Sequence, residues 1–260
     1  MKLSIIIGLL IPFAGTVMGS MIVLFMKNQI KHSVRSILTG FAAGVMVCAS
    51  FWSLLLPAVE QQEANSGKVA VLLPVAGFCM GMLFLLLIDI VTPHMHFDES
   101  VEGPRTNLKK TTMLVLAVVI HNIPEGMAVG VLYAGYLQNK ELITMSAAFS
   151  LAIGIAVQNF PEGAIVSMPL HANGMSKYKA CFQGILSGVV EPVAGLVTIA
   201  MSSVIVPYMP CLLSFAAGAM MYVVVEELIP EMSQEKHSNK ATISFMGGFA
   251  VMMILDIILG

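Results

Sequence analysis

Eight apolar runs limit what this chain can fold into. They fall at about 3–26, 36–59, 69–91, 111–134, 143–168, 179–206, 209–230 and 242–259, and each is comparable with the roughly 20 residues a helix needs to cross a bilayer. Within hydrocarbon every backbone N–H and C=O must bond inside the protein, so helices and closed barrels are the structures that span. Runs this long predict helices. The first could be read as a secretory signal, since Lys2 precedes it and small residues follow from Gly15 to Ser20. It continues through Met26, however, beyond the usual apolar stretch of about 7–15 residues, and is expected to stay as a span. The reading is an all-α membrane protein with eight transmembrane helices, one membrane domain over 1–260. Composition agrees, at 57% hydrophobic and 11% charged, where soluble chains carry about 25% charged residues.

A net charge of -2 gives no reason to expect nucleic-acid binding. The cysteines, Cys48, Cys79, Cys181 and Cys211, stand singly without a C-x-x-C pair and read as packing residues rather than disulfides or thiolate ligands. Ten of the 13 basic residues lie in the connections after spans one, three, five and seven: Lys27, Lys31, Arg35, Arg105, Lys109, Lys110, Lys177, Lys179, Lys236 and Lys240. By the positive-inside rule those connections are cytoplasmic and both termini face outward. The longest, at about 92–110, is too short for a soluble domain.

Acids inside the spans carry the functional signal. Glu125, Glu162, Glu191, Glu226 and Glu227 fall within apolar runs, with Asp89 near the inner end of span three and Asp256 in span eight. No Lys or Arg accompanies them there, so these carboxylates must be protonated, hydrated or bound to cations. Two of them sit in related motifs. His121-Asn122-Ile123-Pro124-Glu125-Gly126 in span four is echoed by Gln158-Asn159-Phe160-Pro161-Glu162-Gly163 in span five. On a helix the i,i+3 and i,i+4 spacings put the His or Gln, the Asn and the Glu of each copy on one face. Each proline lacks an N–H, which predicts a bend and a freed carbonyl, of Ile120 and of Val157. At about 1.5 Å per residue from the inner end, His121 lies about 15 Å deep, near the midplane. Polar residues of this kind can serve simply as interhelical contacts, but repetition at one spacing favours a ligand set. Imidazole, carboxylate and amide oxygen suit a divalent cation of borderline hardness, Zn²⁺ or Fe²⁺/Mn²⁺.

These motifs, in the fourth and fifth of eight spans with outward termini, resemble the Zrt/Irt-like (ZIP) divalent-metal transporters, most closely the bacterial ZupT-type branch, over essentially the whole chain. The resemblance implies a binuclear metal centre between spans four and five. His121, Gln158, Glu125 and Glu162 would form one site and Asn122, Asn159, Glu125, Glu162 and Glu191 the other, with Glu125 and Glu162 bridging. Many family members carry His where Gln158 stands, which argues against narrow zinc selectivity. The resemblance further implies a cytoplasmic-side metal path of Asp89, His94, His96, Glu226 and Glu227, and an outer mouth near Ser53 and Glu60. Asp98, Glu99 and Glu102 either attract cations or merely solubilise their loop. Ser53 and Glu60 are seven residues apart, two turns along one α-helical face, although an acid at a helix end is ordinary in itself. It also implies an inverted repeat of spans one to three and six to eight around spans four and five, with alternating access to a midplane site.

No resident cofactor is expected, only transported metal, with Zn²⁺ foremost and Cd²⁺, Fe²⁺ and Mn²⁺ alongside. Expected partners are divalent metal ions and the lipid bilayer of the cell inner (plasma) membrane, and no nucleic acid. The oligomeric state is left open, a homodimer being one option. The rival class, a membrane-embedded metalloenzyme with Glu125 or Glu162 as general base, lacks an H-E-x-x-H or G-x-S-x-G motif. Its acids would also have to gather at one centre, whereas here they run from the outer mouth to the inner loop. No role is assigned to His32, His171 or His237, and that of Asp256, near the chain end in span eight, is left open.

Overall fold

A computed structural model describes residues 3–26, 31–66, 71–95, 101–138, 143–202, 208–233 and 239–259. Eight helices in it are long and apolar enough to cross a membrane: α1 Leu3–Phe25, α2 His32–Glu63, α3 Leu72–Val91, α4 Lys110–Gln138, α5 Met145–Ala172, α6 Lys177–Ala200, α7 Met209–Met232 and α8 Asn239–Leu259. They coincide with the eight apolar runs. Several extend into polar sequence at their ends, because a formed helix gains a hydrogen bond with each residue added. Arg35 thus lies in the first turn of α2 rather than in a loop. One small departure from helix is the hairpin of β1 His94–Met95 and β2 Val101–Glu102, between α3 and α4.

Four close helix pairs build the bundle: α1 with α5, α2 with α8, α3 with α7, and α4 with α6. Exchanging α1–α3 for α6–α8 and α4 for α5 maps this set of pairs onto itself, as an inverted repeat around α4 and α5 requires. Glycines spaced four apart set the closeness of each pair. A Cβ on Gly15 or Gly19 would strike the backbone of Ala156 or Phe160, and one on Gly126 the backbone of Glu191. Gly40 with Gly44, and Gly77 with Gly81, do the same for α2 against α8 and α3 against α7. In lipid, where apolar side chains gain little by leaving their solvent, such backbone approach is a main source of helix association.

The two halves share a further device. Residues Ala49–Leu55 of α2 and Val224–Leu228 of α7 form π-helical turns, ending two residues before Pro57 and Pro230 respectively. Proline removes the i→i−4 donor and crowds that carbonyl, and a widened i→i+5 turn accommodates the defect. Both turns carry polar residues of interest, Ser53 in α2 and Glu226 with Glu227 in α7.

Ties at the basic end close the bundle. Arg35 Nε meets Glu231 Oε1 at 2.5 Å, joining α2 to α7. Lys177 Nζ donates to the carbonyls of Leu24 and Met26, capping α1 from the start of α6. Of the eight helices α4 is the most enclosed and α8 the least. Leu83 and Leu87 on α3, with Ile254 and Ile258 on α8, turn outward as surface suited to lipid.

Candidate metal centre

The enclosed helix is the one with the first motif. Both α4 and α5 remain α-helical through Pro124 and Pro161, so the polar residues keep the helical spacing that puts them on one face. Glycines following the motif acids then bring neighbours in. Gly126 admits the backbone of Glu191 on α6, and Gly163 admits the carbonyl of Thr16 on α1. Four helices therefore converge on the two copies.

Glu125, Gln158 and Asn159 are fully buried there, with Asn122 and Glu191 nearly so. Gln158 Nε2 donates to Glu125 Oε1 at 2.5 Å. Asn159 Nδ2 donates to Glu191 Oε2 at 2.8 Å, and the same amide lies within hydrogen-bonding reach of Glu125. Asn122 Nδ2 donates to the Ser187 carbonyl at 3.2 Å, beside the interruption of α6 at Val189. Each amide thus spends an N–H on a protein acceptor. Left without a hydrogen-bond partner are four buried oxygens: Asn122 Oδ1, Glu125 Oε2, Gln158 Oε1 and Asn159 Oδ1. Leaving a buried acceptor unpaired costs about 1–3 kcal/mol, and all four are groups that attract cations. Between Lys110 and Lys236 the chain's only basic side chains of Lys or Arg type are Lys140, Lys177 and Lys179, so neither motif carries a cation of its own.

His121 has a close partner that the resemblance did not group with it. Its Nε2 lies 3.1 Å from Glu227 Oε1 on α7. His121, Glu162, Glu227 and Thr39 line a cavity of about 20 Å³, room for about one water-sized guest. Glu227, expected on the cytoplasmic path, therefore touches the central motif directly. Its neighbour Glu226 is exposed on the other side of the π turn.

Beyond Glu227 the polar line continues to Asp89 and His94, both buried. His94 Nδ1 donates to the Thr92 carbonyl at 2.8 Å, which turns Nε2 toward Asp89 Oδ1 at 3.7 Å. Tyr222 of α7 also reaches Asp89. His94 is therefore no solvated loop histidine, because the β1 strand folds it under the end of α4 against Asp89. His96, paired with it in the sequence reading, lies outside the described residues, as do Asp98, Glu99 and His237. Among the described residues no three His, Cys, Asp or Glu side chains form a compact cage by themselves; amide oxygens stand between the acids.

At the opposite end Ser53 is buried and donates to Asp256 Oδ1 at 3.0 Å, and Ser150 donates to the same oxygen at 3.4 Å. Glu60 is exposed, seven residues on from Ser53, which lies in the π turn of the same helix. Three participants were not legible beforehand: Thr16, whose hydroxyl donates to Glu191 Oε1 at 2.8 Å, Asp256 as the partner of Ser53, and the Ser187 carbonyl. Acidity was the one available signal for Asp256, a carboxylate in an apolar span; a lone threonine in an apolar run carries none.

Eight membrane-length helices around a buried cluster of carboxylates and bare amide oxygens define an all-α membrane protein with a polar centre in its bundle. The profile of the family described as ZIP zinc transporter matches residues 98–256, and the chain belongs to that family, one of transporters rather than enzymes. It is 35% identical to zinc transporter ZIPB of Bordetella bronchiseptica, over 95% of this chain and 79% of the relative. It is 34% identical to human zinc transporter ZIP11, over 98% and 97%. Zinc transporter ZupT of Corynebacterium aurimucosum is 31% identical over 83% and 82%, so the resemblance to ZupT is shared with other branches.

Proposed function

We propose that this protein carries divalent metal cations into the cytoplasm through a binuclear centre at the middle of the bundle, with Zn²⁺ the foremost substrate and Cd²⁺, Fe²⁺ and Mn²⁺ accepted beside it. The observation that carries the reading is the set of four buried, unpartnered oxygens at Asn122, Glu125, Gln158 and Asn159. Apolar surroundings make such oxygens costly unless a cation meets them. The names of the relatives favour zinc. With His121 as the sole imidazole of the two motifs, the ligand set is richer in oxygen than a zinc-selective one needs, and this supports the wider range.

Glu125 and Glu162 bridge two ions, His121 and Gln158 complete one site, and Asn122, Asn159 and Glu191 complete the other. Release proceeds by handover from His121 to Glu227, then to Asp89 and His94, with His96 and Glu226 beyond. Contact between His121 and Glu227 supports that order, since the two already share a cavity. Asp256 and Ser53 belong to the outer approach, with Glu60 at its rim. The symmetric helix pairing supports alternating access, in which one group of helices moves against another around a midplane site. The whole chain acts as one membrane domain in the plasma membrane, with both termini outside, an orientation supported by the basic residues of the odd connections. A homodimer is compatible with the outward apolar faces of α3 and α8.

Uptake into proteoliposomes tests the reading. Purified protein should move Zn²⁺ inward, and Glu125→Ala or Glu162→Ala should abolish transport while leaving a folded, monodisperse protein. Wild-type uptake in both variants would dismiss the proposed centre.

A further inference from the structure

We infer that Thr16 is a positioning residue of the metal centre, and that through it α1 becomes part of a site whose ligands all come from α4, α5 and α6. The inference rests on the transport reading above and concerns how Glu191 is held.

Thr16 is 2% exposed in a largely apolar helix. Its Oγ1 donates to Glu191 Oε1 at 2.8 Å, while Asn159 Nδ2 donates to Oε2 at 2.8 Å. The two donors grip opposite oxygens of one carboxylate, which fixes the plane of the group. A carboxylate has about four lone-pair positions, so each oxygen keeps one for a cation. Asn159 holds Glu191 from within the ligand helices, and the Thr16 hydroxyl is a second tether supplied from outside them.

The chain is built to bring Thr16 there. Gly163, directly after the motif residue Glu162, leaves room for the Thr16 carbonyl; Gly188, three residues before Glu191, leaves room for the Thr16 side chain. A Cβ at either glycine would occupy space that Thr16 fills. Ser20, one turn on, donates to the Gly163 carbonyl at 3.4 Å, a polar contact that holds α1 against α5 beside the grip. A hydroxyl aimed at a ligand carboxylate through two glycine notches is more than packing requires, since valine would fill the same volume.

The test measures Zn²⁺ binding to purified protein by titration calorimetry and Zn²⁺ uptake by proteoliposomes, in Thr16→Val and Thr16→Ser. Hydrogen bonds to charged groups are worth about 1.5–3 kcal/mol, so Thr16→Val should weaken Zn²⁺ binding and raise KM by about tenfold or more. Thr16→Ser, which keeps the hydroxyl, should stay within about twofold of wild type. Wild-type affinity in Thr16→Val would overturn the inference, as would equal damage in Thr16→Ser, which would assign the effect to packing at this position rather than to the hydroxyl. Should Thr16→Val fail to fold, Thr16→Ser and Thr16→Ala differ by one hydroxyl, and equal Zn²⁺ affinity in that pair overturns the inference as well. Glu125→Ala is run beside them. If it binds and transports normally, the metal centre itself is wrong; if it loses uptake while Thr16→Val does not, only the role of Thr16 fails.

Discussion

Replacing Glu227 by Gln separates binding from release. In the proposed path Glu227 competes with the substrate for His121, its Oε1 lying 3.1 Å from the ring Nε2. The two side chains are 5% and 9% exposed, so solvent screens the pair little. Glutamine keeps an oxygen of similar reach, and the hydrogen bond survives in neutral form. Charge-assisted hydrogen bonds contribute about 1.5–3 kcal/mol and neutral ones about 1, a difference of about 0.5–2 kcal/mol. Freed from that competition, His121 should bind substrate about 2- to 30-fold more tightly. The next carrier has meanwhile lost its charge, so turnover should slow. Initial rates of Zn²⁺ uptake by proteoliposomes, across a concentration series, should therefore show both KM and kcat falling in Glu227→Gln. A raised KM would mean that Glu227 helps to capture the ion and does not contest His121. Unchanged values of both would remove Glu227 from the path.

Gln158→His adds a nitrogen ligand beside Glu125, and imidazole favours Zn²⁺ over Mn²⁺. Competition uptake should show Zn²⁺ less readily displaced by Mn²⁺ or Fe²⁺ than in the wild type, and an unchanged ranking would refute the selectivity argument. Gly126→Ala places a methyl against the backbone of Glu191, where overpacking costs about 1–3 kcal/mol. Thermal unfolding in detergent should show a lower midpoint, whereas Gly247→Ala, with nothing near its added Cβ, should match or exceed the wild type. Equal midpoints for the two variants would show that the α4 and α6 contact tolerates separation.

In the proposed path two arrangements of polar groups would divide the work. Around Glu125 and Glu191 the amides donate to acids and leave oxygens bare, which suits holding a cation. Around His121 and Glu227 the groups face each other across a small cavity between α4 and α7, which suits passing one on. Glu162 borders that cavity and belongs to the same motif copy as Gln158 and Asn159, a position compatible with the bridging role proposed for it.

The primary sequence by itself determined the number and order of the spans and the two motif copies, and it supplies the charge pattern on which the proposed orientation rests. All depend on local properties: apolar length against bilayer thickness, charge between runs, and helical spacing within six residues. Proline positions announced local disturbance, yet they did not say of which kind. α4 and α5 pass through theirs as α-helix, while α2 and α7 widen into π turns two residues before theirs. Glycine spacing was equally visible but named no partner helix. Only the tertiary structure decided which groups meet. Thr16 and Glu191 are separated by 175 positions, Ser53 and Asp256 by 203, and His121 meets Glu227 of α7. A polar side chain in an apolar helix leaves no periodic trace of the neighbour it bonds, because that choice depends on helix packing, which here is set by glycine contacts between segments far apart in the chain.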